Sequence, residues 1–416
     1  MDERQQKALV IAATMKIQEK GGRYSVPSQS LNGHYWVNPG EMSCTCPDFE
    51  LRRKPCKHAL AVELVLKRET VVAPDGTTTI TETRGVRVTY TQDWRAYNAA
   101  QTTEQEHFCR LLHDLCATVP TPSQTGKGQR RLPLSDVIFS AAYKVYSTVS
   151  ARRFMCDLRD AAAKGYIDKA PCYNSIFNAI ESEDVTPILH ELIKQSSLPL
   201  REVETDFAID STGFGTSTFF RYYSMKYHHE QVGRRWIKTH AMVGTRTNII
   251  TAVVISGMQE HDAPQFAPLV EATAKNFTLC EVSADKAYCS RDSMALVASK
   301  GAMPYIPFKT NTRPDPKAPV WNRMWHYFAL NRDTFLEHYH KRSNVEATFS
   351  MAKRVFGPNV RSKTETAQKN EVLLKLLCHN IRVLVHEMFE LGIAPVFGAP
   401  TVCPTGSPAA QRVFTN

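Results

Sequence analysis

The chain has 416 residues, enough for two or three domains, and sets 51 Lys and Arg against 41 Asp and Glu, a net charge of +10 with a pI of about 9.0. That balance favours a polyanionic partner, and no apolar run approaches the ~20 residues of a membrane span, so no membrane role is expected. The first residues, Met1-Asp-Glu-Arg-Gln-Gln-Lys7, carry no signal-peptide pattern, and 11 Cys spread over the whole length suit a reducing cytoplasm better than a disulfide framework.

In chain order, the first segment with recognisable chemistry is Cys44-Thr-Cys46, nine intervening residues, then Cys56-Lys-His58. Three thiolates and an imidazole suit a tetrahedral zinc shell, and four protein ligands leave no open position for water chemistry. The alternative is four reduced, unrelated side chains. Before the set, Tyr35 and Val37 alternate with His34 and Trp36 as in a strand; after it, Ala59–Leu66 is a short amphipathic helix that His58 would open. The set resembles the SWIM-type zinc finger, a module found beside transposase and helicase domains. The resemblance covers about residues 30–68 and implies one structural Zn2+ held by Cys44, Cys46, Cys56 and His58, in a module of residues 1–70.

Residues 71–90 are rich in Thr with Gly and Pro and read as a hairpin or an extended linker. From 91 to 204 the pattern is helical. Thr103–Cys116 puts Phe108, Leu111, Leu112 and Leu115 on one face, and Leu134–Tyr146 and Cys172–Ile180 are further helices. A basic, turn-rich break, Pro120–Arg131, separates the first of these from the rest. Helix-turn-helix grammar fits 153–180, and an ordinary helical subdomain fits it equally well.

The next region alternates strands and helices. Asp206-Phe-Ala-Ile-Asp210-Ser-Thr-Gly213 reads as a strand with Phe207 and Ile209 on one face and Ala208 and Asp210 on the other. Trp236–Gly244 and Asn248–Ser256 are two more strands, and Ala263–Lys275 is helical. Leu279-Cys-Glu-Val-Ser-Ala-Asp285 is a short apolar run ending in Asp where a loop should begin. Asp210 alone could be a strand-end turn former, and Asp285-Lys286 a surface pair.

Farther on, Tyr339, Arg342, Glu346 and Lys353 follow one another at offsets of three, seven and fourteen residues. On a continuous α-helix these offsets place all four side chains in one stripe about 60° wide. A carboxylate flanked by two cations and a phenol is a poor core and a good metal-and-phosphate site. The bland alternative is a solvated helix with an i,i+4 ion pair from Arg342 to Glu346. Seven Lys and Arg against three Glu crowd the stretch from Glu337 to Lys369. The tail, 391–416, with Pro395, Pro400, Pro404 and Pro408, has little regular pattern.

The spacing matches the YREK signature, and with Asp210 and Asp285 the chain resembles the DDE transposases of the YREK-signature insertion-sequence group over residues 205–390. That resemblance implies an α/β fold with an RNase H-like catalytic core, a mixed sheet flanked by helices, preceded by the helical region (as a DNA-binding segment) and the zinc module. It implies Asp210, Asp285 and Glu346 as catalytic ligands of Mg2+ (or Mn2+), since two-metal phosphodiester chemistry needs hard oxygen donors. Tyr339, Arg342 and Lys353 would contact DNA phosphates. Only 60 residues lie between Asp285 and Glu346, too few for a large inserted β-domain. Trp321 and Trp325, in that interval, read as core residues. The activity implied is cleavage at transposon ends and strand transfer to target DNA. Double-stranded DNA would be the partner, with a homodimer or higher assembly forming on it in the prokaryotic cytoplasm at the nucleoid. The alternative is a catalytically silent, domesticated DNA-binding protein.

Overall fold

The computed structural model describes residues 4, 7–8, 11, 17–28, 33–66, 68–72, 78–82, 93–120, 132–216, 235–309 and 312–398, with the strands at 68–72 and 78–82 described by backbone alone. The basic break at 121–131, the end of the expected linker at 83–90 and the tail beyond 398 lie outside the described residues. Two compact units result, Met1–Thr91 and Gln92–Asn416.

In the first unit, β1 (Gln18–Lys20), β2 (Arg23–Pro27), β3 (His34–Asn38) and β4 (Ser43–Cys44) form an antiparallel sheet in that order. The short α1 (Pro47–Arg52) starts at Cys46, whose carbonyl accepts from Phe49 and Glu50. Arg53, in the left-handed region at φ 52°, ends it. Helix α2 (Lys57–Leu66) then buries Ala59, Ala61, Val62 and Leu66 against Tyr24, Val26 and Val37. This core is small, which leaves much of its stability to whatever crosslinks Cys44, Cys46, Cys56 and His58. Strands β5 (Arg68–Val72) and β6 (Thr78–Glu82) pair antiparallel, so this stretch is a hairpin rather than an extended linker.

In the second unit, the described residues open with six helices: α3 (Trp94–Thr102), α4 (Glu104–Cys116), α5 (Leu134–Ser147), α6 (Ala151–Ala163), α7 (Tyr173–Glu181) and α8 (Val185–Ser197). The apolar stripe of α4 is fully buried. A mixed five-stranded sheet follows, from β7 (Asp206–Gly215), β8 (Trp236–Gly244), β9 (Ile250–Ser256), β10 (Glu281–Ala284) and β11 (Met303–Tyr305), in the order β11-β10-β7-β8-β9. Strands β7, β10 and β11 run parallel, while β8 and β9 form an antiparallel meander from β7. Its helices are α9 (Phe266–Ala274), α10 (Arg291–Ser299), α11 (Pro319–Leu330), α12 (Arg332–Tyr339), α13 (Ser343–Phe356) and α14 (Glu365–Glu390).

Strand alternation gives the sheet two cores. Ala208 and Phe214 join Ala241, Val243 and Ile250 in a cluster with α13, α14 and the N-terminal helices; Phe207, Ile209 and Met242 join α9 to α12 on the other side. Residues 93–120 and 132–200 therefore share a core with the sheet. A bulge at Thr251, where the β8–β9 register slips, turns its hydroxyl to Met242 O (3.1 Å) and to Thr273 (2.8 Å). The neighbouring Ile250 backbone is taken up by buried Asn380 of α14, which accepts from Ile250 N at 2.9 Å and donates to Ile250 O at 2.7 Å. A buried amide paired this way fixes α14 on the sheet without leaving an unsatisfied group.

Candidate active site

Strand β10 pairs with β7 so that Ala284 stands opposite Ile209, and Asp285 therefore leaves the sheet beside Asp210. Asp210 points to the α13 side of the sheet, with Thr212 two residues on. Helix α13 buries Val345, Phe349, Ala352 and Phe356, and Glu346, Ser350 and Lys353 border that stripe. Two polar pins set its position: Asn344 donates to Thr245 O at 2.7 Å, and the Thr348 hydroxyl to Asn248 at 3.2 Å. A cleft of about 660 Å³ results, lined by Asp210, Thr212, Glu346, Ser350, Lys353 and Arg354 among others.

The four residues at offsets of three, seven and fourteen do not share one α-helix. Tyr339 ends α12, His340–Arg342 form a tightened 3-10 turn, and Arg342 stands at the head of α13. The backbone stays right-handed throughout, so Arg342 lies beside both Tyr339 and Glu346, while Lys353 lines the cleft with Glu346. Arg342 donates to Asp210 Oδ2 at 2.5 Å and to Glu346 Oε1 at 2.7 Å. The ion pair of the bland alternative is thus present, as one arm of a bridge between two carboxylates. The Asp210 side chain is 19% exposed and that of Glu346 59%. Burial pushes the Asp210 carboxyl above its ordinary value and the nearby charges of Asp285 and Glu346 add to this, against the Ser211 amide and Arg342. Asp285 turns back to accept from Lys286 N at 2.7 Å.

Tyr339 is half-buried, packed against the cluster of α9 to α12, and Arg342 lies 5.8 Å from its ring centroid. Burial raises its phenol, as do Asp285 and Asp210, while Arg342 lowers it. Lys353 donates to Thr212 at 2.6 Å and lies 5.2 Å from the centre of Phe214. Its ammonium is held below the ordinary lysine value by burial. Trp321 is buried and Trp325 partly so, and their indoles donate to Arg313 O and Thr312 O.

Sequence patterning did not reveal a second ionic cluster. Asp206 and Glu281 are register partners on adjacent parallel strands, and Lys341 bonds both, at 2.7 and 2.8 Å. His338 meets Glu281 at 2.8 Å. Burial alone would raise Glu281, yet Lys341 and His338 hold it below the usual carboxylate range. Consecutive cations thus each take two carboxylates, Lys341 at the start of the strands and Arg342 at the site. Only the strand register brings these two acids opposite each other, and the sequence carries no signal of it.

In the first unit the ligand atoms of Cys44, Cys46, Cys56 and His58 all lie within 4.8 Å of one another and all four residues are buried. His58 Nδ1 is 4.0 Å from Cys44 Sγ and 3.8 Å from Cys56 Sγ. Those separations fit the edges of a tetrahedron with ~2.0–2.3 Å metal bonds. Sharing of hydrogen bonds with Cys44 and His58 outweighs burial and drives the Cys56 thiol down to about 4, while Cys44 is pushed far up. Without a cation, only part of this sulfur set can ionise.

Residues 201–381 match the family model for the transposase DDE domain, and residues 35–67 that for the SWIM zinc finger. Among curated proteins, a probable transposase for insertion sequence element ISA1214 of Archaeoglobus fulgidus is 28% identical over 211 residues, 50% of this chain. The match spans 62% of the length of that relative. Among solved structures, a piggyBac transposase synaptic complex with hairpin DNA aligns over 70% of this chain and 74% of its own, at 11% identity and a TM-score of 0.34. Among the described residues, no helix is long and apolar enough to cross a membrane.

Lys341→Met should leave Asp206 and Glu281 facing each other without a shared cation. A loss of about 1–3 kcal/mol in denaturant unfolding is expected, and Asp206→Asn in the same chain should recover part of it.

Proposed function

We propose that this chain, which carries a transposase DDE domain and a SWIM zinc finger, is an insertion-sequence transposase that cuts DNA at the element's ends and joins the freed 3′-OH to target DNA. The placement of Asp210 carries this assignment: it lines one cleft with Glu346 of α13 and lies within reach of the charge of Asp285 at the end of the neighbouring strand, all within the matched domain. The order of strands and helices around them supports an RNase H-like core. A set made only of carboxylate oxygens fits hard divalent cations, Mg2+ or Mn2+. Such ions, when bound, activate the attacking oxygen and stabilise the leaving one. Asp210, between the other two, would face both ions, with Asp285 and Glu346 each completing one position.

Tyr339, Arg342 and Lys353 would contact the DNA. The fork of Arg342, now spread over two carboxylates, suits a phosphate equally well, so a backbone entering the cleft can exchange for them. Double-stranded DNA, as element ends and target, is the partner, bound by a dimer or larger assembly at the nucleoid of a prokaryotic cell. The helical residues 91–204 would bind the element's ends. In the zinc module of residues 1–70, Cys44, Cys46, Cys56 and His58 would hold one Zn2+ as a structural ion, since all four positions come from protein.

Asp210→Ala, Asp285→Ala and Glu346→Ala should each abolish cleavage of duplex carrying the element's ends. DNA binding should stay the same or tighten, because negative charge leaves the phosphate path. Three variants that still cleave would return the chain to the class of silent DNA-binding proteins. Lys353→Ala should weaken binding about equally for all sequences and lower the slope of log K against log salt by about one unit; Asp285→Ala should show neither effect. Metal analysis of chain purified without chelator should give one zinc, lost in Cys56→Ala, with the first unit then unfolding by circular dichroism.

A further inference from the structure

On the sheet face opposite Asp210 lies a buried polar chain that the proposed chemistry does not use. His240 of β8 is fully buried and is the register partner of Ser211, the residue next to Asp210. Its Nδ1 lies 3.2 Å from the Tyr288 hydroxyl and its Nε2 2.8 Å from Ser256 Oγ. Tyr288 is 1% exposed. Behind them Lys238 pairs with Asp262 at 2.6 Å and donates to Glu260 O at 2.6 Å; Asp262 is 3.9 Å from His240 Nδ1.

Tyr288 belongs to the turn that carries Asp285. Its amide donates to Asp285 O at 2.9 Å, closing a single 3-10 turn that begins with the Asp285 carboxylate capping Lys286 N. The ring packs on Phe266, with centroids 5.8 Å apart. A phenylalanine would fill this space equally well, so packing does not account for the hydroxyl. What the hydroxyl adds is a tie from the Asp285 turn to β8, the strand that pairs with β7 at Asp210.

We propose that Tyr288 is a positioning residue: its hydroxyl, bonded to His240, fixes the Asp285 turn against β8, the strand paired with β7 at Asp210, and so sets the spacing of the Asp210 and Asp285 carboxylates. This rests on the assignment of those two acids as metal-holding. Two carboxylates that must share ions are drawn together against their own repulsion, and outer hydrogen bonds of this kind commonly carry 10–100-fold in metal affinity.

The test uses the full chain with its zinc retained, and reads Mn2+ affinity by titration calorimetry alongside cleavage as a function of Mn2+. Tyr288→Phe should remain folded and bind Mn2+ about tenfold more weakly. Its cleavage rate should return towards that of the unsubstituted chain at saturating Mn2+. Asp285→Ala serves as the reference and should lose Mn2+ binding in the cleft. If Tyr288→Phe binds Mn2+ like the unsubstituted chain while Asp285→Ala does not, the positioning role is wrong and the carboxylate assignment stands. A rate deficit that saturating Mn2+ does not repair would overturn it too. If Asp285→Ala also binds normally, both fall together.

Discussion

The site depends on one electrostatic constraint, the gathering of like charges. Two carboxylates ~4 Å apart repel by about 4 kcal/mol where the effective dielectric is near 20, and Asp210 has Asp285 and Glu346 as neighbours in a half-buried place. Arg342, at 2.5 and 2.7 Å from two of the three acids, offsets that repulsion. Because Arg342 sits where the 3-10 turn becomes α13, the same contact sets where the Glu-bearing helix begins. Lys341 repeats the device one residue earlier with Asp206 and Glu281. Together the two cations clamp the α12–α13 junction to the parallel strands.

The sheet separates reaction from support. On one face Asp210 and Thr212 look into the cleft under α13; on the other, His240, the register partner of Ser211, meets Tyr288. The period of two along β7 therefore puts chemistry and its scaffold on adjacent residues. Farther back, Asn380 fills the backbone gap left by the bulge at Thr251 and keeps α14 on the α13 side of the sheet.

Much of this was legible in the sequence where a feature is local and periodic. The alternation around Asp210, the apolar face of 103–116 and the spacing of Cys44, Cys46, Cys56 and His58 each follow from two or three neighbouring residues. The order of strands and helices from 206 to 356 was equally readable. Periodicity could not show that 3-10 tightening interrupts the helix between Tyr339 and Glu346, because every backbone angle there remains right-handed. Nor could it show that Arg342 bridges two acids 132 and 4 residues away, or that Lys353 reaches Thr212. Lys341, Glu281, His240 and Tyr288 become partners only through strand register, which a single sequence does not contain. Likewise, residues 93–200 read as a separate helical region because amphipathic stripes do not say what they face; they face α14 and the sheet.

Anomalous diffraction from crystals of the chain soaked in Mn2+ tests the central claim most directly. Two peaks are predicted in the cleft, one between Asp210 and Asp285 and one between Asp210 and Glu346, with Arg342 displaced from at least one of its carboxylates. Peaks confined to other acidic patches, or a cleft in which Arg342 keeps both contacts at saturating Mn2+, would contradict it.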